Sequence, residues 1–537
     1  MSFKSNPCQQ ISWNDSFANL TKREQRVVEK TWAKPFAEVV FPAIHEERFS
    51  VLYSDRALSR PNTPVNVIVG ALMLKHQLGL TDEDLFESIC CDVRFQYALH
   101  TTQDEEQPIS DRTFSRFRER LYNYELQTGV DLLKEEMQSL NETYAKFMKL
   151  DKHIKRMDSM MIATRSKSMS RLEIVYTVVS NAVQFLAKSG AKDEIPEEMK
   201  HYLEEGDHND VIYYCKDEDA GSRLGKVIHE AERARELLNR DEWCQTEEFR
   251  LLERVLNEQT NVDENGRRTP KAKQEISSSS LQNPSDPDAT YREKGGEGHK
   301  GYVGNIVETI GEDGDSLISD IQYEQNIHSD SAFCAEYLKN REENAPQEIL
   351  ITDGAYNSVE NQELAESKNV QLVCTSLTGK ETTPIFKDFE MSEDGTTVLH
   401  CPMGHAPEKC TYYPKTGICR AQFSKCHCEH CPHKNECNGK PQRKTYAVHV
   451  SAKMVARATY AVKLTTDEYK KLTRKRNAIE GIPSVLRRKY RVDEMPVRGK
   501  VRSKLWFTAK IMAYNLSKFL RRVGNPWDNY AQTAENA

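Results

Sequence analysis

Nowhere in the 537 residues is there a run of about 18 apolar residues, so the sequence offers no membrane span. Met1 to Ser16 lacks the basic and apolar blocks of an export signal, and the expectation is an intracellular protein. Apolar residues make up only 38% of the chain against 29% charged, which suits a soluble protein with a polar surface. The length is too great for one core, and roughly two to four domains are expected. Without an export signal, the 14 cysteines do not suggest a disulfide framework. Seven of them (Cys401, Cys410, Cys419, Cys426, Cys428, Cys431 and Cys437) fall within 37 residues, and such clustering favours a metal.

The net charge of −7 hides an asymmetry. Between Lys440 and Arg522 there are 23 Lys and Arg but 5 Asp and Glu, so the remainder is strongly acidic. A basic lobe on an acidic protein points to a polyanionic partner, most often nucleic acid.

Residues 1–150 read as helical. The aliphatic run Val65–Leu78 stops at Gly79, and Thr81 with Asp84 forms a capping box for the next helix, whose inner face carries Leu85, Phe86 and Ile89. A further helix, Ser115 to Leu121, carries Arg112, Arg116, Arg118 and Arg120 on or beside it. Short helices ending in an Arg-rich one suggest a helix-turn-helix, with a bundle bearing a solvated basic face as the plain alternative. Ile154–Thr164 reads as a strand with Asp158 in its middle. Residues 166–275 read as an acidic helical insertion, and 276–300 as a polar loop. Strands Tyr302–Ile310 and Leu317–Tyr323 flank a glycine-rich turn, followed by a helix at Ser331–Lys339. In Ile349-Leu-Ile-Thr-Asp353-Gly, a short aliphatic strand ends on an aspartate, where open α/β sheets place their chemistry. Asn357 or Ser358 caps the helix that follows, and Val370–Thr375 is another strand.

Asp158 and Asp353 thus stand on two strands, and a third acid, Glu480, lies in the basic segment on a helix capped by Thr465 or Thr466 and ended or kinked by Pro483. The plain reading of Glu480 is a salt bridge to Arg476, four residues earlier. Two strand aspartates and a helix glutamate also suit two hard Mg²⁺ (or Mn²⁺) ions, which complete their shells with waters and phosphate oxygens.

The chain resembles the DDE transposases of bacterial insertion sequences, whose catalytic core is RNase H-like. The resemblance runs through Ser110-Asp-Arg-Thr-Phe114, the Asp158 strand, Asp286-Pro-Asp-Ala289, Gly301-Tyr302 and Asp353-Gly-Ala-Tyr356. It continues through Arg476-Asn-Ala-Ile-Glu480, Pro496-Val-Arg-Gly499 and Ala513-Tyr-Asn515-Leu-Ser-Lys518. Thr473 stands where the wider signature has a tyrosine, and Arg487 and Arg488 stand where it has a base past the glutamate. The resemblance implies cleavage at inverted-repeat ends and joining of the 3′-hydroxyl to target DNA. Asp158, Asp353 and Glu480 would be the catalytic metal ligands. The residues assigned to double-stranded DNA are Arg112, Arg116, Arg118, Arg476, Arg487, Arg488, Lys489, Arg498 and Lys518. A homodimer in the synaptic complex and a cytoplasmic, nucleoid-associated location are implied as well. The competing readings are a catalytically idle DNA-binding protein and a nuclease of the same fold.

In the cysteine block, Cys401, Cys428, Cys431 and Cys437 are the expected ligands of a structural Zn²⁺, with Cys410, Cys419, Cys426 and His405 as substitutes. The expected fold class is α/β: an RNase H-like mixed sheet with helices, preceded by an all-α helix-turn-helix-like domain. The expected organisation is a helical DNA-binding domain at 1–150 and a catalytic core assembled from 151–165, 276–378 and 446–522. It also has a helical insertion at 166–275, a cysteine-rich insertion at 379–445 and a tail at 523–537.

Overall fold

The computed structural model describes residues 1–6, 15–54, 61–104, 106–110, 112–151, 153–214, 220–264, 266–311, 313–375 and 383–523. Asp111 of the Ser110–Phe114 motif and, beyond Val523, the tail lie outside them.

In the amino-terminal region, helix α1 (Val65–Leu78) is buried from Val65 to Gln77, as an aliphatic sequence without a polar face requires. It stops at Gly79 in the left-handed conformation (φ 70°). Thr81 then caps α2 (Asp82–Cys91) with the expected capping box. The Arg-bearing helix α3 (Thr113–Thr128) is longer than expected and runs on to Gly129, and α4 (Leu132–Met148) follows. Their apolar residues form one core with the sheet and with the final helix.

Strand β1 (Ile154–Ala163) opens the sheet. The segment after it is helical, in α5 (Arg171–Lys188), α6 (Ala220–Leu238) and α7 (Glu247–Gln259). These helices bury Val175, Val179, Ile228, Leu252 and Val255 in a core of their own.

The sheet is completed by β2 (Thr290–Lys294), β3 (Glu297–Ile310), β4 (Ser316–Gln325), β5 (Glu348–Thr352) and β6 (Val370–Cys374). Its order is β2-β3-β1-β5-β6, with β4 also paired to β3. β1 runs antiparallel to β3 and parallel to β5, and β5 is parallel to β6. Helices α8 (Asp330–Lys339) and α9 (Val359–Ser367) provide the connections, and Ser358 is the cap of α9. The 276–300 stretch departs from expectation. It is not all loop, because Thr290–Lys294 and Glu297–Gly301 form a hairpin about Gly295 and Gly296. A polar edge strand carries no apolar alternation to announce itself. Gly301 (φ 138°) is demanded by close approach, since a Cβ there would meet the Ile162 carbonyl oxygen at 2.3 Å.

The cysteine-rich stretch forms a separate four-stranded sheet of β7 (Lys409–Tyr413), β8 (Ile418–Ser424), β9 (Lys440–Pro441) and β10 (Thr445–Val450), in the order β7-β8-β10-β9. Helices α10 (Ala452–Leu464) and α11 (Asp467–Arg476) lead back to the main sheet. A 3₁₀ turn, Asn477–Glu480, separates α11 from α12 (Gly481–Arg488). Pro483 therefore neither ends nor kinks the helix carrying Glu480. It occupies the first turn of α12, where a missing N–H leaves no helical bond unmade. The chain closes on α13 (Lys500–Arg522), whose interior is buried from Phe507 to Ser517. Among the described residues, no helix is long and apolar enough to cross a membrane.

Candidate functional site

β1 pairs with β5 in the register Arg156↔Ile351, so Asp158 and Asp353 stand level, two residues further along adjacent parallel strands. The pleat sends Met157 and Met161 toward α8 and α9, and Met160 and Ile162 toward the opposite face, into the core shared with α12 and α13. Asp158 shares that second face. Thr466 caps α11 and leads to Arg476, and the 3₁₀ turn after it presents Glu480.

The three acids converge on one guanidinium. Arg476 Nη2 lies 3.6 Å from Asp158 Oδ1 and 3.9 Å from Asp353 Oδ2, while Nη1 lies 3.1 Å from Glu480 Oε1. The Glu480 pair expected from the i,i+4 spacing is thus present, within a larger cluster. Exposure is graded: 16% for the Asp158 side chain, 34% for Asp353 and 63% for Glu480. Burial raises the Asp158 pKa above the ordinary carboxylate value; Arg476 opposes the rise and Asp353 adds to it. Asp353 also accepts a 2.8 Å bond from Ala355 N, which starts the turn at the end of its strand.

A buried network that the sequence reading missed places these groups. Arg156 Nε donates to Glu308 Oε2 at 2.6 Å and its Nη1 to the Lys475 carbonyl at 2.6 Å, which ties the end of α11 to β1. On the far side of the sheet, Tyr356 OH donates to Asn305 Oδ1 at 2.7 Å and anchors the turn after Asp353. Ser159 Oγ donates to buried Asp330 at 2.7 Å. An arginine two residues before the strand aspartate is the one available signal.

Motifs far apart in sequence meet in space. Asp286, fully buried, accepts bonds from Thr164 Oγ1, from Tyr302 OH at 2.5 Å and from Gly499 N at 3.0 Å. Asp288 accepts from Lys500 N at 2.9 Å, and the two aspartates fix the start of α13. Further along α13, the Asn515 amide clasps the Ile318 backbone, accepting from its N–H at 2.9 Å and donating to its carbonyl at 2.8 Å.

The basic residues assigned to DNA divide in two. Arg112, Arg116, Arg488 and Arg498 are exposed. Arg118 pairs with Asp82 and lies 5.4 Å from the Trp506 ring centre, which joins α3 to α2 and α13. Arg487 Nη2 donates to the Met161 carbonyl at 2.8 Å, and Nε pairs with Asp493 at 3.1 Å. Lys489 reaches Ser517 Oγ at 3.4 Å. Lys518 reaches Ser316 Oγ at 3.2 Å, and burial lowers its pKa.

In the cysteine-rich module, Cys401, Cys428, Cys431 and Cys437 line one cavity of about 30 Å³, walled by Phe389, Phe423 and Tyr446. Burial, reinforced by Cys431, Cys401 and Cys428, pushes the Cys437 thiol up to about 12. Cys419 pairs instead with Cys410 and donates to the Thr396 carbonyl at 3.1 Å. Cys426 is exposed, and His405 stacks on His427. Among the described residues, no three His, Cys, Asp or Glu side chains stand in a ready-made metal-binding group.

Two family models match the chain, a transposase DDE domain over residues 400–520 and a transposase domain (DUF772) over residues 22–120. Such families place the chain among DNA-processing enzymes. More narrowly, the two matches support an insertion-sequence DDE transposase. The first takes in the cysteine block and Glu480, the second the amino-terminal helices; neither reaches Asp158 or Asp353. No curated protein and no solved structure matches.

Proposed function

We propose that the protein cuts DNA at the inverted-repeat ends of an insertion sequence and joins the freed 3′-hydroxyl ends to target DNA, on an RNase H-like core. The convergence of Asp158, Asp353 and Glu480 on Arg476 carries this reading. Carboxylate oxygens are the donors that Mg²⁺ or Mn²⁺ takes, and a place shared by three acids around one cation suits a cation. Asp158 and Asp353 would hold the metals from the sheet, and Glu480 would complete the second one from its turn. Two such ions, when bound, activate the attacking oxygen and steady the leaving one. Arg476 holds the acids together. Exposed Arg488 and Arg498 hold the DNA backbone, and Arg112 and Arg116 face it from the amino-terminal domain.

The four thiols around the cavity are soft donors of the type that closes a structural zinc site, and would hold one Zn²⁺. Duplex DNA is the partner, bound by a homodimer at the nucleoid in the cytoplasm. Incubating the protein with Mg²⁺, an end-bearing duplex and a target plasmid tests the reading. Joined products support it, whereas cutting without joining would make the protein a nuclease.

A further inference from the structure

The cysteine-rich module has a second face that the catalytic reading leaves unused. Cys419, Ala421 and Phe423 of β8 and Val448 and Val450 of β10 point into the module's core. The alternate residues point outward, and the ladder sets them in rows. One row is Lys409–Gln422–Ala447–Lys440 across all four strands; the next is Thr411–Arg420–His449 across three. Tyr413, paired with Ile418, begins a third. The four strands contain no Asp or Glu. Among the described residues, the side chains of Lys409, Arg420, Lys440 and His449 make no hydrogen bond or ion pair. Arg118, Arg156, Arg476 and Arg487, by contrast, each have a carboxylate partner.

We propose that this outer face is a second DNA-docking surface, which takes the phosphate backbone of duplex DNA through Lys409, Arg420 and Lys440, with Gln422 and His449 between them. Charge complementarity selects the occupant: strands that carry three cations without a hydrogen-bond or ion-pair partner among the described residues, and no carboxylate of their own, fit a polyanion. Spacing agrees. With strands about 4.8 Å apart, Lys409 and Lys440, three strand steps from each other, stand roughly 14 Å apart, comparable to the width of about 12 Å of the major groove. Their side chains can thus reach phosphates on either side of a groove. The strand β10 runs directly into α10 and α11, which end at Arg476, so the face is joined through the chain to the segment that presents Glu480.

The proposal rests on the transposase reading, and the experiment separates the two. Affinity of the full chain for duplex DNA is measured by fluorescence anisotropy from 50 to 200 mM salt, for wild type and for the triple variant Lys409→Gln, Arg420→Gln, Lys440→Gln. The salt slope should flatten by about 2–3, with affinity lower on the order of 10²-fold at 150 mM salt. Melting temperature should change little, because these side chains make no hydrogen bond or ion pair among the described residues, and Lys409→Arg with Lys440→Arg should bind like wild type. An unchanged slope and affinity in the triple variant, with wild type binding DNA, would overturn the surface alone. A wild-type chain that does not bind duplex DNA at all would overturn both readings. Loss of duplex RNA binding with DNA binding intact would reassign the face and overturn the proposal.

Discussion

Arg476 Nη2 stands 3.6 Å from Asp158 Oδ1, with both side chains about 15% exposed. A charge pair this enclosed is screened weakly and is coupled to every neighbour. The same guanidinium reaches Asp353 and Glu480, so it offsets the repulsion among all three acids.

The first prediction concerns that coupling. Arg476→Ala should leave Asp158 and Asp353 facing each other uncompensated and lower stability by about 1–3 kcal/mol without metal. Asp158→Asn should restore part of the loss. A double-mutant cycle by denaturant unfolding should give a coupling of about 0.5–3 kcal/mol; strict additivity would mean the pair carries no energy.

Replacing the acids themselves tests the chemistry. Asp158→Asn, Asp353→Asn and Glu480→Gln should each reduce Mg²⁺-dependent cleavage roughly 10³-fold or more, on the scale of losing one stabilising group. Duplex binding should persist, because Lys and Arg make the phosphate contacts. A variant that cleaves normally would drop its residue from the triad.

A third prediction separates the cysteines. Elemental analysis should find about one zinc per chain, lost in Cys401→Ser and Cys437→Ser but kept in Cys419→Ser, whose thiol lies in another pair. Zinc retained in Cys401→Ser would break the assignment.

Glu125 on α3 supplies a pH dependence. It lies beside Lys504 and Asp131, with burial and Asp131 raising its pKa to about 7. Because the folded value is raised, the group adds stability below its unfolded value near 4.5, and that stability is lost as pH rises toward about 7. Wild type should lose about 1–3 kcal/mol across that window from this group, and Glu125→Gln should show a flatter profile. Equal slopes in urea unfolding between pH 4 and 8 would remove Glu125 as the cause.

Much of the fold is legible in the sequence because its strands announce themselves. Ile349–Thr352 is a short aliphatic run closed by Asp353-Gly354, and it folds as the strand it resembles. Thr290–Lys294 is missed for the converse reason: an edge strand of Tyr, Arg, Glu and Lys carries no apolar period. The acids can be picked out singly from their punctuation. Their meeting is expected from the residue types and the family resemblance but not from periodicity, because the contact that sets it runs through Arg156, Glu308 and Lys475, with 319 positions between Arg156 and Lys475. Such a contact leaves no periodic trace.

The basic helix α3 shows the same limit and gives the last prediction. Its arginines look alike in sequence, yet Arg118 turns inward to Asp82, which Lys75 also holds, and toward Trp506, while Arg116 stays exposed. Arg118→Ala leaves Asp82 with one partner and removes a cation from an aromatic face, so it should cost about 1–2 kcal/mol of stability. Specificity for transposon ends should change little in the fraction that stays folded. Arg116→Ala should leave the melting temperature within about 1 °C, since exposed substitutions are nearly neutral. If α3 reads base edges, Arg116→Ala should narrow the gap between end-containing and scrambled duplexes by about 1–3 kcal/mol. Arg488→Ala and Arg498→Ala should weaken both duplexes alike, and each should reduce the salt slope by about 1. Anisotropy titrations and thermal melts on the four variants check this. If Arg118→Ala melts like wild type but loses discrimination, the inward arginine reads DNA and the exposed one does not.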